Sequence, residues 1–378
     1  MSKEKELVNN ETIETTNNEF SKQRFIAVDS GKFKTKVALL SKNRDRALTF
    51  GFRTMIENGN FADDAIEANT FIAELDGKTY KIGNGASKEA ELETSKMSEI
   101  HKITTLAAIA LVVNDGDEVN VAIGCPVKEY EVVEKRNEYR DYILPPGEVK
   151  IKIKTKNETE PKEKRFFINY TVVYPESSGI LYLDMERFAD KEVGIIDLGG
   201  GTGLGSMFDN FEIVRKTSFT CELGGNVLVN GLSQLLSAEF SRCSPDYVRK
   251  LIALPLNQRK LVPVNGSKEF IEEVGVRSKQ IIDEYLLDYV KQIRRQCDSK
   301  QWPLDYIDLV GVGGTCHVLS HEMKQVFGEN IYIPKTPEYT NALGFLRRLC
   351  AKRLAIIIPI DSEEKTKEMM QGSNALAS

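Results

Sequence analysis

No stretch of this chain stays apolar for the roughly 20 residues that a bilayer-crossing helix needs. Residues 1–24 (MSKEKELVNNETIETTNNEFSKQR) lack the apolar centre of a secretory signal. The expected location is therefore the cytoplasm, with no membrane partner. No C-x-x-C pair occurs among Cys125, Cys221, Cys243, Cys297, Cys316 and Cys350. That disfavours a zinc ribbon or a disulfide framework and leaves six free thiols. Positive charge is not in excess: 51 Lys and Arg against 56 Asp and Glu give a net charge of −5. Without a global attraction to polyanions, direct DNA binding is not expected, and any DNA contact needs a local patch or an adaptor.

What remains is the composition of an ordinary globular protein, 41% hydrophobic and 28% charged. A chain of 378 residues exceeds the usual single domain, so two lobes with separate cores and a cleft between them are expected. Residues 1–22 and 359–378 are polar, without apolar periodicity, and are expected to be disordered tails. Between them strands and helices alternate. FIAVDSGKFKTKVALL reads as a hairpin turning at Gly31, a helix is expected around Ile100 to Ala110, and VNVAIGCPV is a buried strand. From Glu148 the alternation of Val149, Ile151 and Ile153 with lysines predicts an antiparallel strand with a solvated face. RFFINYTVVYP predicts a strand stopping at Pro175, with a helix after it through Leu181 to Phe188. EVGIIDLGGGTGLGSMFDN repeats the strand, glycine turn, strand design of the first hairpin, which suggests an internal duplication with one hairpin per lobe. Helical spacing returns from Leu223, over Glu272 to Cys297, and from about Glu338 to Arg353.

Three loops carry the chemistry. Asp29-Ser30-Gly31, followed by Lys36, places backbone amides and a cation where phosphate oxygens could sit, and Asp29 could hold a hydrated cation. A hairpin needing only a permissive glycine and an Asx turn accounts for the same residues. Asp197-Leu198-Gly199-Gly200-Gly201-Thr202-Gly203 is harder to explain by turn geometry, because three successive glycines sacrifice packing and backbone order, and close approach of a ligand explains them better. It lacks the G-K-[ST] of a Walker A loop, and a strand rather than the helix of a Rossmann motif follows. Val310-Gly311-Val312-Gly313-Gly314-Thr315 ends a strand and opens a helix, which can press backbone against a ligand.

The order of these loops, with Pro175-Glu176-Ser177 just before the middle one, resembles the actin/Hsp70/sugar-kinase ATPases. The P-E-S sequence, the lysine-rich strand before it and Asn341-Ala342-Leu343-Gly344-Phe345 are most similar to the ParM-like plasmid-segregation actins. The resemblance covers residues 24–352. It implies an α/β, actin-like (ribonuclease H-like) fold whose first lobe is residues 23–190 plus 335–353 and whose second is 191–334. By that resemblance Asp29 and Asp197 hold Mg²⁺ through water and Glu176 activates the attacking water. Ser30, Gly31, Lys36, Gly199, Gly200, Gly201, Thr202, Gly203, Gly313, Gly314 and Thr315 cradle ATP or GTP, and Arg277 or Lys279 meets the base. It further implies hydrolysis coupled to filament dynamics, self-association, and a DNA-binding adaptor on a centromere-like plasmid site. The alternatives are a small-molecule kinase of the same superfamily or another bacterial actin-like cytoskeletal protein. Outside the resemblance, His317 and His321 fall at i and i+4 of an expected helix beside Cys316, a metal pair without a third ligand. Lys291, Arg294 and Arg295, with Arg347, Arg348, Lys352 and Arg353, form basic clusters that read mainly as solvated surface.

Overall fold

The computed structural model describes residues 22–61, 66–89, 95–335 and 337–359. The expected tails lie outside the described residues, apart from Lys22 and Pro359. The chain divides into two compact units. One runs up to Leu183 and resumes at Asn341; the other is Asp184–Thr340.

The first unit is built on a ten-stranded mixed sheet. Its strands are β1 (Gln23–Ser30), β2 (Lys34–Leu40), β3 (Ala47–Arg53), β4 (Met55–Asn58), β5 (Thr70–Leu75), β6 (Lys78–Gly83), β7 (Lys88–Glu89), β8 (Asp117–Cys125), β9 (Gly147–Lys154) and β10 (Lys162–Pro175). Their order is β3-β2-β1-β8-β10-β9-β5-β6-β4-β7. Every residue of β1 from Phe25 onward and nearly all of β8 is buried, so these read as continuous apolar runs and pair in parallel, as strands covered on both faces do. β10 is 14 residues long. It pairs with β9 antiparallel over its first half and with β8 in parallel, with a register shift between Ile168 and Tyr170. β9 behaves as its alternation predicts: Val149, Ile151 and Ile153 are buried, while the Nζ of Lys152 pairs with Glu74 of β5 at 3.0 Å. The helix Glu99–Ala110 buries Ile100, Ile103, Leu106 and Ile109 in the same core.

The expected helix through Phe188 is two short pieces, Gly179–Leu183 and Met185–Phe188. Asp184 separates them, because its carboxylate accepts the Arg187 N–H at 3.3 Å and caps the second piece instead of continuing the first. The final helix, Thr340–Leu354, begins two residues later than expected, after a 3₁₀ turn at Pro337–Tyr339. Its basic residues are not merely solvated: Arg348, Lys352 and Arg353 lie over the rings of Tyr182, Tyr174 and Tyr170, and Arg347 donates to the Leu183 carbonyl.

The second unit has a smaller sheet, β13-β12-β11-β15, with β14 also on β12. These strands are β11 (Glu192–Leu198), β12 (Gly203–Asp209), β13 (Glu212–Ile213), β14 (Phe219–Cys221) and β15 (Asp308–Val312). The helices Gly225–Glu239, Pro245–Ile252 and Lys268–Ser299 bury Leu232, Val248, Leu286 and Ile293 against it. The proposed histidine pair does not share one helix, since Leu319 separates Gly314–Val318 from Ser320–Phe327. Among the described residues no three His, Cys, Asp or Glu side chains are grouped to hold a metal ion, and no helix is long and apolar enough to cross a membrane.

Candidate functional site

Parallel strands line up their carboxyl ends, and in open α/β sheets such an edge is where ligands bind. In the first unit three strands end together. Val28 pairs with Ile123, and Tyr174 and Pro175 pair with Gly124 and Cys125. Asp29 and Glu176 are thereby brought to either side of Gly124: a Cβ on that glycine would stand 3.7 Å from both Asp29 Oδ1 and Glu176 Cγ. Both carboxylates are buried, each 4% exposed, so charge compensation decides whether they can be ionised.

Two lysines provide it. Lys36, opposite Asp29 in the β1–β2 register, places Nζ 3.2 Å from Asp29 Oδ2. Lys96 Nζ donates to Glu176 Oε1. Burial by itself pushes the Asp29 pKa up, but the charges of Lys36 and Lys96 and hydrogen bonds from Lys36 and Asn341 outweigh it and hold the carboxyl below its ordinary value. For Lys96, burial pulls the pKa down, and Glu176 and Asp29 more than restore it, so the ammonium is kept.

The backbone around these groups is tightly determined. At the hairpin tip the Gly31 N–H donates to the Asp29 carbonyl at 3.0 Å, and Thr54 Oγ1 donates to the Gly31 carbonyl at 2.7 Å. Gly31 is needed for space, since a Cβ would lie 2.9 Å from the Lys34 carbonyl oxygen and its φ is not left-handed. After Glu176 the chain reverses through Ser177 at φ 67, a conformation that costs a non-glycine residue of order 1–3 kcal/mol. The Ser178 hydroxyl donates to the Pro175 carbonyl at 2.7 Å, and the Gly179 N–H donates to Asn341 Oδ1 at 3.3 Å.

The second unit repeats the arrangement. Asp197 is the penultimate residue of β11, as Asp29 is of β1, and it pairs across to Val312 of β15. Three glycine segments meet beside it. The Gly199 N–H closes the turn on the Thr202 carbonyl at 3.1 Å, and the Gly225 and Asn226 N–H groups donate to the carbonyls of Gly199 and Gly200 at 2.9 and 2.8 Å. Thr315 Oγ1 donates to the Gly199 carbonyl at 3.1 Å. A Cβ on Gly224 would fall 2.3 Å from the Gly201 carbonyl carbon. The unusual Gly224-Gly225 pair is thus what lets the helix Gly225–Glu239 start against the glycine turn. At Gly313, with φ +87, a Cβ would meet the Leu198 carbonyl oxygen at 2.4 Å and Asp197 Oδ1 at 2.7 Å. Gly313→Ala is accordingly expected to displace Asp197 and, if the loop meets a nucleotide as its resemblance implies, to weaken that binding by about tenfold or more, roughly 1.4 kcal/mol. Titration with a fluorescent ADP analogue measures this, and unchanged binding would separate the loop from any ligand.

The candidate residues thus gather in two sets, Asp29, Ser30, Gly31, Lys36 and Glu176 in one unit and Asp197, Gly199 to Gly203 and Gly313 to Thr315 in the other. Arg277 and Lys279 join neither by direct contact. Arg277 is half-exposed on Glu239 at 3.3 Å. Lys279 pairs with Asp283 at 2.7 Å and lines a hollow of about 300 Å³ with Leu256, Leu287, His321 and Gln325. Both precede, by ten residues or more and so by about 15 Å or more along the helix, Tyr289, whose hydroxyl donates to the Leu223 carbonyl at 2.8 Å. Lys96 and Asn341 escaped the sequence reading as site residues. Lys96 sits in the polar run ELETSKMSEI with no motif around it, and Asn341 was legible only as part of a run of small residues.

Residues 27–179 match the family of actin-like protein N-terminal domains. The archaeal actin homologue Ta0583 superposes with a TM-score of 0.66 over 87% of this chain and 99% of its own, at 16% identity.

The fold is actin-like.

This actin-like chain is also similar to the Alp12 filament structure, at 27% identity and a TM-score of 0.64, covering 88% of this chain and 99% of that one. A 15-stranded ParM filament from Clostridium botulinum matches at 15% identity and a TM-score of 0.62, over 86% and 99% of the two chains. The resemblance to ParM-like actins read from the loop sequences is therefore shared with filament-forming actin homologues in three dimensions. No curated protein matches the chain by sequence.

Proposed function

We propose that this actin-like chain is a cytoplasmic nucleoside triphosphatase that binds ATP or GTP with Mg²⁺, polymerises, and through a DNA-binding adaptor moves plasmid copies apart. The observation that carries the reading is the buried Glu176, held by Lys96 and flanking Gly124 together with Asp29, where three parallel strands end. The residues fit a phosphate–metal ligand. Asp29 is buried yet kept ionised, and the glycines at 224 and 313 leave no room for side chains beside Asp197 and its turn. A bound Mg²⁺ supplies charge neutralisation for phosphate oxygens, and the carboxylates proposed to hold such an ion through water are Asp29 in the first unit and Asp197 in the second, each within its own unit's loop.

Phosphoryl transfer asks a protein for placement and charge more than for covalent chemistry. Glu176 orients the attacking water as its acceptor. Within the first unit Ser30, Gly31 and Lys36, and within the second Gly199 to Gly203 and Gly313 to Thr315, are the proposed phosphate contacts through amides, hydroxyls and one ammonium. Arg277 and Lys279 are the proposed base contacts. A heterologous head-to-tail interface between copies that does not close generates a filament. With an adaptor between filament and DNA, the chain itself can remain acidic.

Right-angle light scattering with parallel phosphate release tests this on purified protein given Mg-ATP. The expected result is a rise that later decays in wild type and persists in Glu176→Ala. Absence of any rise up to about tens of micromolar, with ATP consumed only when a small hydroxylated substrate is added, would replace this reading with that of a kinase.

A further inference from the structure

Behind the first loop stands a buried histidine. His101, 0% exposed near the start of the helix Glu99–Ala110, places Nδ1 2.9 Å from Ser30 Oγ. Its Nε2 has no hydrogen-bond partner among the described residues. Burial, reinforced by the positive charges of Lys96 and Lys32, pushes its pKa down to about 3. The ring is therefore neutral at physiological pH, and only one of its nitrogens carries a hydrogen. A third group constrains the geometry. Thr104 Oγ1 lies 3.4 Å from Ser30 Oγ and gives its own proton to the Ile100 carbonyl at 2.8 Å, so toward Ser30 it can only accept.

We propose that His101 is a positioning residue that keeps its proton on Nδ1 and donates it to Ser30 Oγ, so that the Ser30 hydroxyl turns its own proton toward an anionic phosphate oxygen. The proposal rests on the nucleotide reading of the same loop. A serine hydroxyl has one proton and two lone pairs. If Ser30 spent its proton inward on an unprotonated Nδ1, it would present only lone pairs to a phosphate, which repel it. That arrangement would also leave an Nε2–H donor buried without an acceptor, at a desolvation penalty that buried polar groups rarely carry. With the hydrogen on Nδ1 the unmet atom is an acceptor lone pair. Without ligand the Ser30 proton rests on Thr104 Oγ1 over a long contact, from which an anion can draw it away. The buried imidazole thus makes the hydroxyl a donor with a fixed direction.

The sequence holds only three histidines, His101, His317 and His321, so the tautomer can be read directly. Long-range proton–nitrogen spectra of the full-length chain, labelled with ¹⁵N in its imidazoles and assigned by loss of the signal in His101→Asn, are expected to show His101 protonated on Nδ1 and bare on Nε2. A signal from the opposite tautomer or from an imidazolium overturns the proposal, whether or not nucleotide binds. Titration with a fluorescent ADP analogue and Mg²⁺ supplies the second readout. His101→Leu is expected to weaken binding about tenfold, His101→Asn, which retains an N–H near the Nδ1 position, to weaken it much less, and His101→Leu to have little further effect on top of Ser30→Ala. Equal binding by His101→Leu and wild type, or equal losses in the Leu and Asn variants, also overturns it. If wild type binds no nucleotide at all, the functional reading fails and the spectrum alone decides the tautomer.

Discussion

A Lys96→Met protein is expected to release phosphate about 100-fold more slowly than wild type while still binding nucleotide, a loss of the size seen when one preorganised electrostatic partner is removed from an active site. Glu176 is buried and takes a charge-assisted hydrogen bond from the Lys96 ammonium. Methionine keeps much of the length and apolar stem of lysine but brings no charge and no donor. The carboxylate then loses its charged partner and the contact that fixes its rotamer, and both matter to a group proposed to accept a hydrogen bond from the attacking water. Lys96→Arg should recover part of the rate, because it restores the charge in a different shape. The decisive comparison is with Glu176→Gln. If Lys96 acts through Glu176, the double variant is no slower than the worse single one. Additive losses in single-turnover phosphate release would mean that Lys96 works on something else, and a wild-type rate in Lys96→Met would remove it from the site.

The second large effect concerns packing. Gly344→Ala is expected to destabilise the protein by about 3 kcal/mol, toward the upper end of what overpacking costs. A Cβ at 344 would stand 1.9 Å from the carbonyl oxygen of Gly179 and 2.6 Å from its Cα. These are backbone atoms, so no rotamer change relieves the clash and the two segments must separate. Gly179 lies just beyond Glu176, and its N–H is held by Asn341 at 3.3 Å, so the same shift should loosen the turn that carries Glu176. Gly314→Ala is the control: a Cβ there meets nothing within 4 Å, and the unfolding free energy from urea titration should change by no more than about 0.5 kcal/mol. Equal midpoints for the two variants would show that the crossing yields more easily than its geometry implies.

How much of this was legible in the sequence differs from residue to residue. The hairpin at Asp29 and the turn after Asp197 stand out because strand-forming residues run straight into glycines, and close backbone approach leaves that trace in any chain. Gly344 was legible for the same reason: small residues in a helix mark a crossing. The break at Asp184 was missed because an aspartate within a helical pattern reads as a polar face, and only the Arg187 N–H that it captures reveals a cap. Lys96 and His101 were invisible for opposite reasons. One sits in a charged run where lysine is unremarkable, the other in an apolar helical stripe where a histidine reads as core. Their partners, Glu176 and Ser30, are 80 and 71 residues away, so only the folded sheet brings them together. Arg277 and Lys279 stand out only as charge on a helix that the resemblance places over the base, and each is paired with a nearby carboxylate, Glu239 of the helix Gly225–Glu239 and Asp283 of their own helix.

The contact between Gly179 and the helix Thr340–Leu354 joins residues 162 positions apart, as the Gly179–Asn341 hydrogen bond measures. Asp184–Thr340 is one uninterrupted stretch and can begin to condense as soon as it leaves the ribosome. The unit that starts the chain must instead wait until residues 341–344 have been synthesised before Asn341 and Gly344 reach their places. At synthesis rates of about 5–20 residues per second, the strand ends bearing Asp29 and Glu176 remain without that support for roughly 8 to 33 seconds. During that interval Gly124 and Tyr174, at the ends of β8 and β10, lack the Phe345 ring that packs against them, and it is then that chaperones would be of most use to the newborn protein.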